Sequence, residues 1–212
     1  MTLAVDRYEL GPVGTNCYVV RAARGAREGV VIDPGDDAAR LRLELARLGT
    51  SCSAILITHC HYDHIGAVAD LAEATGVPVH VPLGEQAILA QADEVYAAFG
   101  VRVRPYRDAS TIDGGDTVTF AGVELETIDV PGHSPGHVAY HVAGSLFSGD
   151  VLFAGSVGRT DLPGGDWETL LASIRLLTER FPPETVVYPG HGAPTTLGDE
   201  LRANPFLAEL RA

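Results

Sequence analysis

Four side chains that can bind metal ions lie within six residues, directly after a short apolar run. They are His59, His61, Asp63 and His64 of the segment ITHCHYDHIG, and the run is AILI. A short apolar run predicts a buried strand, so these side chains are expected in the turn after it, before a helix that begins near Ile65. The spacing lets two imidazoles approach one cation while Asp63 and His64 turn toward another. The pattern therefore predicts a metal site at a strand end.

Three further segments repeat this order of strand, turn and metal-binding side chain. His133 follows the run LETIDV in VPGHSPGH, Asp150 follows a strand in FSGDVL, and His191 follows another in VYPGHG. Taken singly, Asp150 could be a helix cap or turn residue, and His191 an ordinary loop residue. Their recurrence after separate strands indicates a shared site.

Short β-rich runs and amphipathic helices alternate in both halves of the chain. Helical spacing of apolar residues predicts helices over 36–48, 65–75, 84–100 and 166–181, and the β-rich runs lie before, between and after them. This mixture favours two β-sheets packed face to face with helices on the outer faces. The 212 residues, 46% of them hydrophobic, can enclose a substantial core. Since no linker or repeat divides the chain, we predict one domain over residues 1–212.

Charge and composition exclude several classes of function. The formal net charge is −13, which disfavours binding to nucleic acid or to an anionic membrane. The N-terminal sequence lacks the pattern of a signal peptide, and no segment approaches the ~18 apolar residues of a membrane span. Three cysteines are too few for a disulfide framework. We therefore expect a cytoplasmic protein with reduced thiols, and its oligomeric state is left open.

Taken together, the motifs resemble the metallo-β-lactamase-fold hydrolase superfamily, and within it the glyoxalase II-like (hydroxyacylglutathione hydrolase-like) branch. The resemblance rests on NCYVV, VIDPGDD, THCHYDH, PGHSPGH, SGDVLF, GRTDLPGGD and YPGHG, which together span nearly the whole chain. It implies an α/β fold, the αββα four-layer sandwich of two mixed β-sheets flanked by helices. It also implies a dinuclear metal site, with His59, His61 and His133 on the first metal, Asp63, His64 and His191 on the second, and Asp150 bridging.

The ligand chemistry suits hydrolysis. Imidazole and carboxylate ligands favour Zn²⁺ but also accept Fe or Mn, so we expect two Zn²⁺ ions. Two such cations about 3.5–4 Å apart can share a water and lower its pKa toward ~7, which makes a metal-bound water held by Asp150 the expected nucleophile. A thioester suits such a site because a thiolate leaves without a proton donor. Asp63, if it binds metal, can at most relay a proton. The expected partner is a small-molecule thioester such as S-lactoylglutathione.

Arg159, in the segment GRTDLPGGD, is the candidate substrate-binding residue. It follows Asp150 closely enough to reach the mouth of the site, where its charge could pair with a substrate carboxylate. An ion pair with Asp161 or Asp166 is the equal alternative.

Two other functions fit the same motifs. Persulfide dioxygenases share the fold and a similar GRTD segment, and would use a single Fe on His59, His133 and Asp150. A non-catalytic metal-binding protein is the other, although structural zinc sites usually close four positions and favour Cys.

Nearby residues that could be mistaken for ligands receive supporting roles. We expect His80 and His141 to pack within strands, His137 to stabilise its loop, and Cys60 to have no metal role. Asp33 could orient a ligand histidine, or simply form a turn.

Overall fold

The structure, a computed structural model, describes residues 3–211; residues 1, 2 and 212 of the predicted domain lie outside the described residues. The strands are β1 Ala4–Leu10, β2 Thr15–Arg21, β3 Glu28–Ile32, β4 Ser51–Leu56, β5 Val79–Pro82, β6 Ser110–Ile112, β7 Thr117–Phe120, β8 Val123–Asp129, β9 Val138–Val142, β10 Ser145–Gly149, β11 Leu152–Phe153, β12 Ser156–Val157, β13 Val186–Pro189 and β14 Thr195–Thr196. The helices are α1 Ala38–Leu48, α2 Tyr62–Ile65, α3 Val68–Thr75, α4 Gln86–Ala90, α5 Ala92–Ala97, α6 Trp167–Arg180 and α7 Leu197–Ala203, with 3₁₀ segments at Leu83–Glu85 and Pro205–Arg211.

The strands form two six-stranded mixed sheets. The first has the order β1-β2-β3-β4-β5-β6, antiparallel up to β3 and parallel from β3 to β6. The second has the order β14-β13-β10-β9-β8-β7, in which only β10 and β13 are parallel. Strands β11 and β12 form a separate small hairpin.

Alternation of side chains along the strands divides the apolar residues into three layers. In β3, Val30 and Ile32 pack between the two sheets with Tyr140 and Phe147 of the second sheet. Val31 of the same strand points to the opposite face, where α1 and α3 cover the first sheet. The outer face of the second sheet is covered by α6 and α7, which contribute Leu170, Ile174, Leu177 and Leu197 to the core. This order of helix, sheet, sheet and helix confirms the αββα sandwich predicted from the sequence.

The two sheets are joined by backbone hydrogen bonds at one edge. The N–H of Val138, at the start of β9, donates to the carbonyl of Thr58, just after β4 (2.9 Å). The N–H of Asn16 in β2 donates to the carbonyl of Gly190, just after β13 (2.7 Å). The carboxyl ends of β4, β10 and β13 therefore meet along one line, so the residues that follow them are brought together.

Two of the predicted helices differ in the structure. The helix predicted over 65–75 begins only at Val68, as α3, because Gly66 packs against the Pro34–Gly35 backbone and the N–H of Ala67 donates to the carbonyl of Pro34 (3.0 Å). Asp63 and His64, expected in a turn, lie instead in the short helix α2 before this break. The helix predicted over 84–100 begins as a 3₁₀ turn and breaks again at Gln91, whose φ of −126° is outside the helical range. These breaks reorient the chain so that each piece keeps its apolar residues in the core.

The other two predicted helices are shorter by one or two residues at their ends. The helix predicted over 36–48 begins at Ala38, because the Asp37 side chain accepts from the N–H of Arg40 and caps it. The helix predicted over 166–181 begins at Trp167, with Asp166 capping the N–H of Thr169. A carboxylate at this position satisfies a backbone donor that the helix leaves unpaired. Among the described helices, none has the length and apolar character needed to cross a membrane.

His80 lies on β5 and packs against Phe120, with ring centroids 5.1 Å apart. Among residues 3–211 neither of its ring nitrogens finds a hydrogen-bond partner. Burial therefore lowers the pKa of His80 below 6.5, its ordinary value, because a charged imidazole would be poorly solvated there.

We predict that His80 makes the protein less stable under acidic conditions. Above pH 6.5 His80 is neutral in both states; as the pH falls below 6.5, the unfolded chain binds a proton more readily than the folded chain, so the free energy of unfolding decreases. In His80→Gln this contribution is absent. Urea unfolding in a chelator between pH 7.5 and about 5 should show the wild type losing more stability than the variant, and parallel curves would contradict the prediction.

Candidate metal centre

Asp33, at the end of β3, is a buried acceptor that organises the first turn of the site. Its carboxylate accepts from the backbone N–H of Thr58 (2.8 Å), from the Thr58 hydroxyl (2.7 Å) and from Nδ1 of His64 (3.0 Å). Asp33 is 3% exposed, so it is shielded from water. The hydrogen bond that the sequence suggested between Asp33 and a candidate ligand histidine is thus present, and it leaves Nε2 of His64 facing the site.

A chain of hydrogen bonds through Thr58 to Asp33 determines which ring nitrogen of His59 carries the proton. The Thr58 hydroxyl donates to Asp33, so its oxygen is free to accept from Nδ1 of His59 at 3.1 Å. With the proton on Nδ1, the lone pair of His59 Nε2 points into the site.

The first group of candidate ligands is His59, His61 and His133. Nδ1 of His61 lies 3.1 Å from Nε2 of His59 and 2.8 Å from Nε2 of His133. Nδ1 of His133 donates to the backbone carbonyl of Arg159 at 2.8 Å, which again turns the lone pair of Nε2 inward. Three imidazole nitrogens thus converge at distances that fit a shared cation, since Zn–N bonds are about 2.0–2.1 Å long.

The second group is Asp63, His64 and His191. Oδ2 of Asp63 lies 3.3 Å from Nε2 of His191 and 3.7 Å from Nε2 of His64. The hydroxyl of Thr15 donates to the same oxygen at 2.6 Å. Thr15 therefore fixes the rotamer of Asp63 toward the two imidazoles.

Asp150 lies between the two groups. Its Oδ1 is 3.3 Å from Nε2 of His64, and its Oδ2 is 3.4 Å from Nε2 of His191 and 3.6 Å from Nε2 of His133. Its backbone N–H donates to Nε2 of His137 at 3.1 Å. His137 thus supports the position of Asp150, as its predicted loop-stabilising role requires.

Burial and charge separate the two groups electrostatically. Burial, together with a smaller effect of the neighbouring imidazoles, lowers the pKa of His59 well below its ordinary value and that of His61 to about 4. Burial also lowers the pKa of His133. These three imidazoles are therefore neutral near pH 7, the form that binds metal.

The second group favours positive charge. Burial lowers the pKa of His191, but hydrogen bonds to Asp150 and Asp63 outweigh it and raise the pKa to about 9. For His64, too, the carboxylates of Asp150 and Asp33 outweigh burial and raise the pKa. Although burial opposes ionisation of Asp63, His191 and His64 lower its pKa to about 2. The carboxylates of this group therefore favour positive charge between them, which a divalent cation would also supply.

These residues fit a metal centre by their donor chemistry. Nε2 of His64 and Oδ1 of Asp150 are buried and 3.3 Å apart, but they lack the geometry of a hydrogen bond, and neither has another partner within residues 3–211. Buried polar atoms normally have one. The structure thus brings all seven sequence-predicted ligands together as imidazoles and carboxylates. The Cys60 side chain instead packs in the apolar core.

Arg159 is the predicted site residue whose side chain points elsewhere. Its guanidinium donates two hydrogen bonds to Asp161, at 2.7 and 2.6 Å, on the exposed surface. Asp166, the other partner considered, caps α6. The backbone carbonyl of Arg159, rather than its charge, contacts His133.

Sequence reasoning missed several residues that hold the ligands. Thr15 and Thr58 are described above; Asn16 is buried and its amide donates to the carbonyls of Pro189 (2.8 Å) and Gly192 (2.9 Å), on either side of His191. Their positions at strand ends, in TNCYVV and ILIT, were the available signal. A hydroxyl or amide there has many ordinary roles, so the signal is weak.

Gly190 yields a prediction, because a side chain there would collide with the centre. A Cβ at this position would lie 2.0 Å from Oδ1 of Asp150 and 2.7 Å from Cε1 of His64. Gly190→Ala should displace these groups and weaken Co²⁺ binding by roughly 10–100-fold, measured by competition with a chelating dye. Gly192→Ala is the control: its Cβ meets nothing within 4 Å, although its φ of +78° adds strain. Equal Co²⁺ affinity in Gly190→Ala and the wild type would contradict the prediction.

Comparisons with known proteins agree with this architecture. A family model of the metallo-beta-lactamase superfamily matches residues 10–191. The probable metallo-hydrolase YqgX of Bacillus subtilis is 37% identical over 205 residues, which cover 95% of this chain and 96% of YqgX. Hydroxyacylglutathione hydrolase GloC of Haemophilus influenzae is 36% identical over 189 residues, which cover 85% of this chain and 88% of GloC.

Solved structures show the same fold over nearly the whole chain. The BLEG-1 B3 metallo-beta-lactamase superposes with a TM-score of 0.90 at 38% identity, covering 97% of this chain and 100% of that one. TTHA1623 in a di-iron-bound form superposes with a TM-score of 0.85 at 42% identity, covering 96% and 100%. ETHE1 from Myxococcus xanthus gives 0.80 at 25% identity, covering 97% and 85%. The resemblance seen in the motifs is confirmed, and the chain belongs to the metallo-β-lactamase superfamily.

Proposed function

We propose that this chain is a metal-dependent hydrolase of small thioesters, similar to hydroxyacylglutathione hydrolases. The observation that carries the proposal is the position of Asp150, within 3.3–3.6 Å of imidazole nitrogens from both groups of ligands. In this proposal His59, His61 and His133 would hold one cation, Asp63, His64 and His191 would hold another, and Asp150 would contribute a carboxylate to both. Two Zn²⁺ ions are our preferred occupants, with Fe or Mn as alternatives.

Divalent cations at such a site supply a lowered pKa for water and a positive charge for a carbonyl oxygen. The chain supplies the positions. Asp33, Thr58 and the Arg159 carbonyl hold three histidines in the tautomer whose Nε2 lone pair faces the site. Thr15 holds Oδ2 of Asp63 in place. The Asp63 carboxylate thus lies beside the position proposed for the cations and their water, where it can accept and relay a proton.

The available proton donors favour a thiol as the leaving group. The pKa of Asp63 is about 2, and that of Asp150 is also well below its ordinary value, so neither carboxyl is protonated at neutral pH. His64 and His191 would lose their extra protons on binding a cation, because a metal ligand imidazole must be neutral. An amine would need such a donor, whereas a thiol with a pKa near 8.5 leaves as thiolate. The activity stated in the name of GloC supports the same class of substrate.

The iron-dependent persulfide dioxygenase remains the second candidate. Nε2 of His133 lies 3.6 Å from Oδ2 of Asp150, and His59 and Asp150 belong to one cluster of potential ligands. Two histidines and one carboxylate are the ligands that many non-haem iron oxygenases use. The di-iron-bound form of TTHA1623 also makes iron relevant.

A panel of substrates and metals tests the proposal. Purified protein loaded separately with Zn²⁺, Mn²⁺ and Fe²⁺ is assayed with S-lactoylglutathione, a lactone, a β-lactam, and glutathione persulfide in an oxygen electrode. We expect thioester hydrolysis with Zn²⁺ to have the largest kcat/KM. Oxygen uptake with persulfide by the iron form, without thioester hydrolysis in any form, would replace the proposal with the dioxygenase. Inactivity in every combination would favour a non-catalytic metal-binding protein.

Arg159 remains our candidate for binding a substrate carboxylate, although it is paired with Asp161. Both side chains are exposed, 60% and 67%, and surface ion pairs are weak, so the guanidinium can exchange partners. We predict that Arg159→Ala raises the KM for S-lactoylglutathione roughly ten-fold with kcat little changed, because a uniform binding contact is lost.

Asp161→Asn separates substrate binding from a purely structural ion pair. It removes the partner but keeps the guanidinium, so the KM should stay the same or fall. If both variants instead leave the KM unchanged while lowering the melting temperature equally, Arg159 has only a structural role.

A further inference from the structure

Glu85 is a buried carboxylate that is not part of either ligand group. It lies in the 3₁₀ turn Leu83–Glu85 between β5 and α4 and is 1% exposed. A carboxylate so deeply buried needs hydrogen-bond donors around it. The donors that surround Glu85 come from the two loops that carry the first group of candidate ligands.

The hydrogen bonds of Glu85 join these loops. Oε2 accepts from the backbone N–H of Cys60 at 3.1 Å, and Cys60 is the residue between His59 and His61. Oε1 accepts from the hydroxyl of Ser134 at 2.7 Å and from the N–H of Gly136 at 3.1 Å. Ser134 directly follows His133. One side chain therefore ties the loop of His59 and His61 to the loop of His133.

The backbone around Glu85 is packed against the second loop. A Cβ on Gly84 would lie 2.8 Å from Cα of Gly136, and a Cβ on Gly136 would lie 2.7 Å from the carbonyl carbon of Gly84. Only two glycines permit this approach. The distance between the turn and the His133 loop is thus fixed by backbone contact as well as by hydrogen bonds.

Tyr96, on α5, bonds the carbonyl of the same residue, Cys60. Its hydroxyl is the donor, and its side chain is buried. Both backbone groups of Cys60 are therefore bonded to side chains of the segment 83–97, which lies outside the sheets. This segment acts as a support for the turn that carries His59 and His61.

We infer that Glu85 is a positioning residue for the metal centre, and that Tyr96 assists it. Glu85 sets the separation of the His133 loop from the His59–His61 loop, across which Nε2 of His133 lies 2.8 Å from Nδ1 of His61. The inference rests on the proposed metal centre, not on the proposed thioester substrate. Metal–ligand distances tolerate errors of only about 0.2 Å, so a small separation of the two loops should weaken binding.

Glu200 provides a matched control within the same chain. It is 5% exposed and also accepts three hydrogen bonds, from Gly155 N–H (2.8 Å), the Thr195 hydroxyl (2.6 Å) and the Asn204 amide (2.8 Å). These bonds hold the β11–β12 hairpin to α7 and leave the His59–His61 and His133 loops untouched. A general cost of removing a buried carboxylate should appear in both variants.

The test compares Glu85→Gln with Glu200→Gln in the full chain, stripped of metal and titrated with Co²⁺. A glutamine at position 85 keeps one acceptor oxygen but turns its NH₂ toward a backbone or hydroxyl donor. We expect Co²⁺ affinity to fall roughly 10–100-fold in Glu85→Gln, with altered visible d–d bands at saturation. Glu200→Gln should lose thermal stability in the metal-free state but keep its affinity within about three-fold and its spectrum unchanged, because it touches neither ligand loop.

Equal Co²⁺ affinity and spectrum in Glu85→Gln and the wild type would overturn the inference, as would equal weakening in both variants. Should Glu85→Gln fail to fold, Tyr96→Phe is the deciding variant, because it removes only the hydroxyl that donates to the Cys60 carbonyl. Weaker Co²⁺ binding by Tyr96→Phe would support the inference, and unchanged binding would overturn it. Failure of the wild type to bind Co²⁺ would overturn the metal centre itself. A wild type that binds Co²⁺ but cleaves no thioester would refute only the proposed substrate.

Discussion

The carboxylate of Asp33 is the interaction on which the site depends. It accepts from Thr58, at the end of β4, and from His64, in α2, so it joins two parallel strands to the helix that follows them. Because it is buried, each of these bonds is strong and costly to leave unmade. Through Thr58 it also orients His59. One residue at a strand end thereby sets the tautomers of candidate ligands in both groups.

The fold also brings together imidazole lone pairs and carboxylates, which repel one another when no cation or proton lies between them. Nδ1 of His61 lies 3.1 Å from Nε2 of His59 and 2.8 Å from Nε2 of His133, and the carboxylates of Asp63 and Asp150 lie close by. Backbone bonds between the sheets, from Val138 to Thr58 and from Asn16 to Gly190, prevent this edge from opening. The sandwich as a whole therefore holds the candidate metal ligands in place.

Features that depend on residues close together in the chain could be predicted from the sequence. His59, His61, Asp63 and His64 lie close in the chain, so their spacing alone indicated a metal site. The mixture of β-rich runs and amphipathic helices in both halves favoured two packed sheets. Glu85 could not be found in this way, because its contacts lie 25, 49 and 51 residues away and a single Glu in a helix-like segment resembles a surface residue. The breaks at Gly66 and Gln91 were missed for the same reason: tertiary contacts, which local periodicity does not contain, decide them.

Anomalous diffraction from crystals of the Zn²⁺-loaded protein, collected above and below the zinc edge, would locate the two proposed cations. We expect two anomalous peaks about 3.5–4 Å apart, one beside His59, His61 and His133 and the other beside Asp63, His64 and His191, with the Asp150 carboxylate between them. A single peak at full occupancy, or peaks away from these residues, would rule out a dinuclear centre at this site.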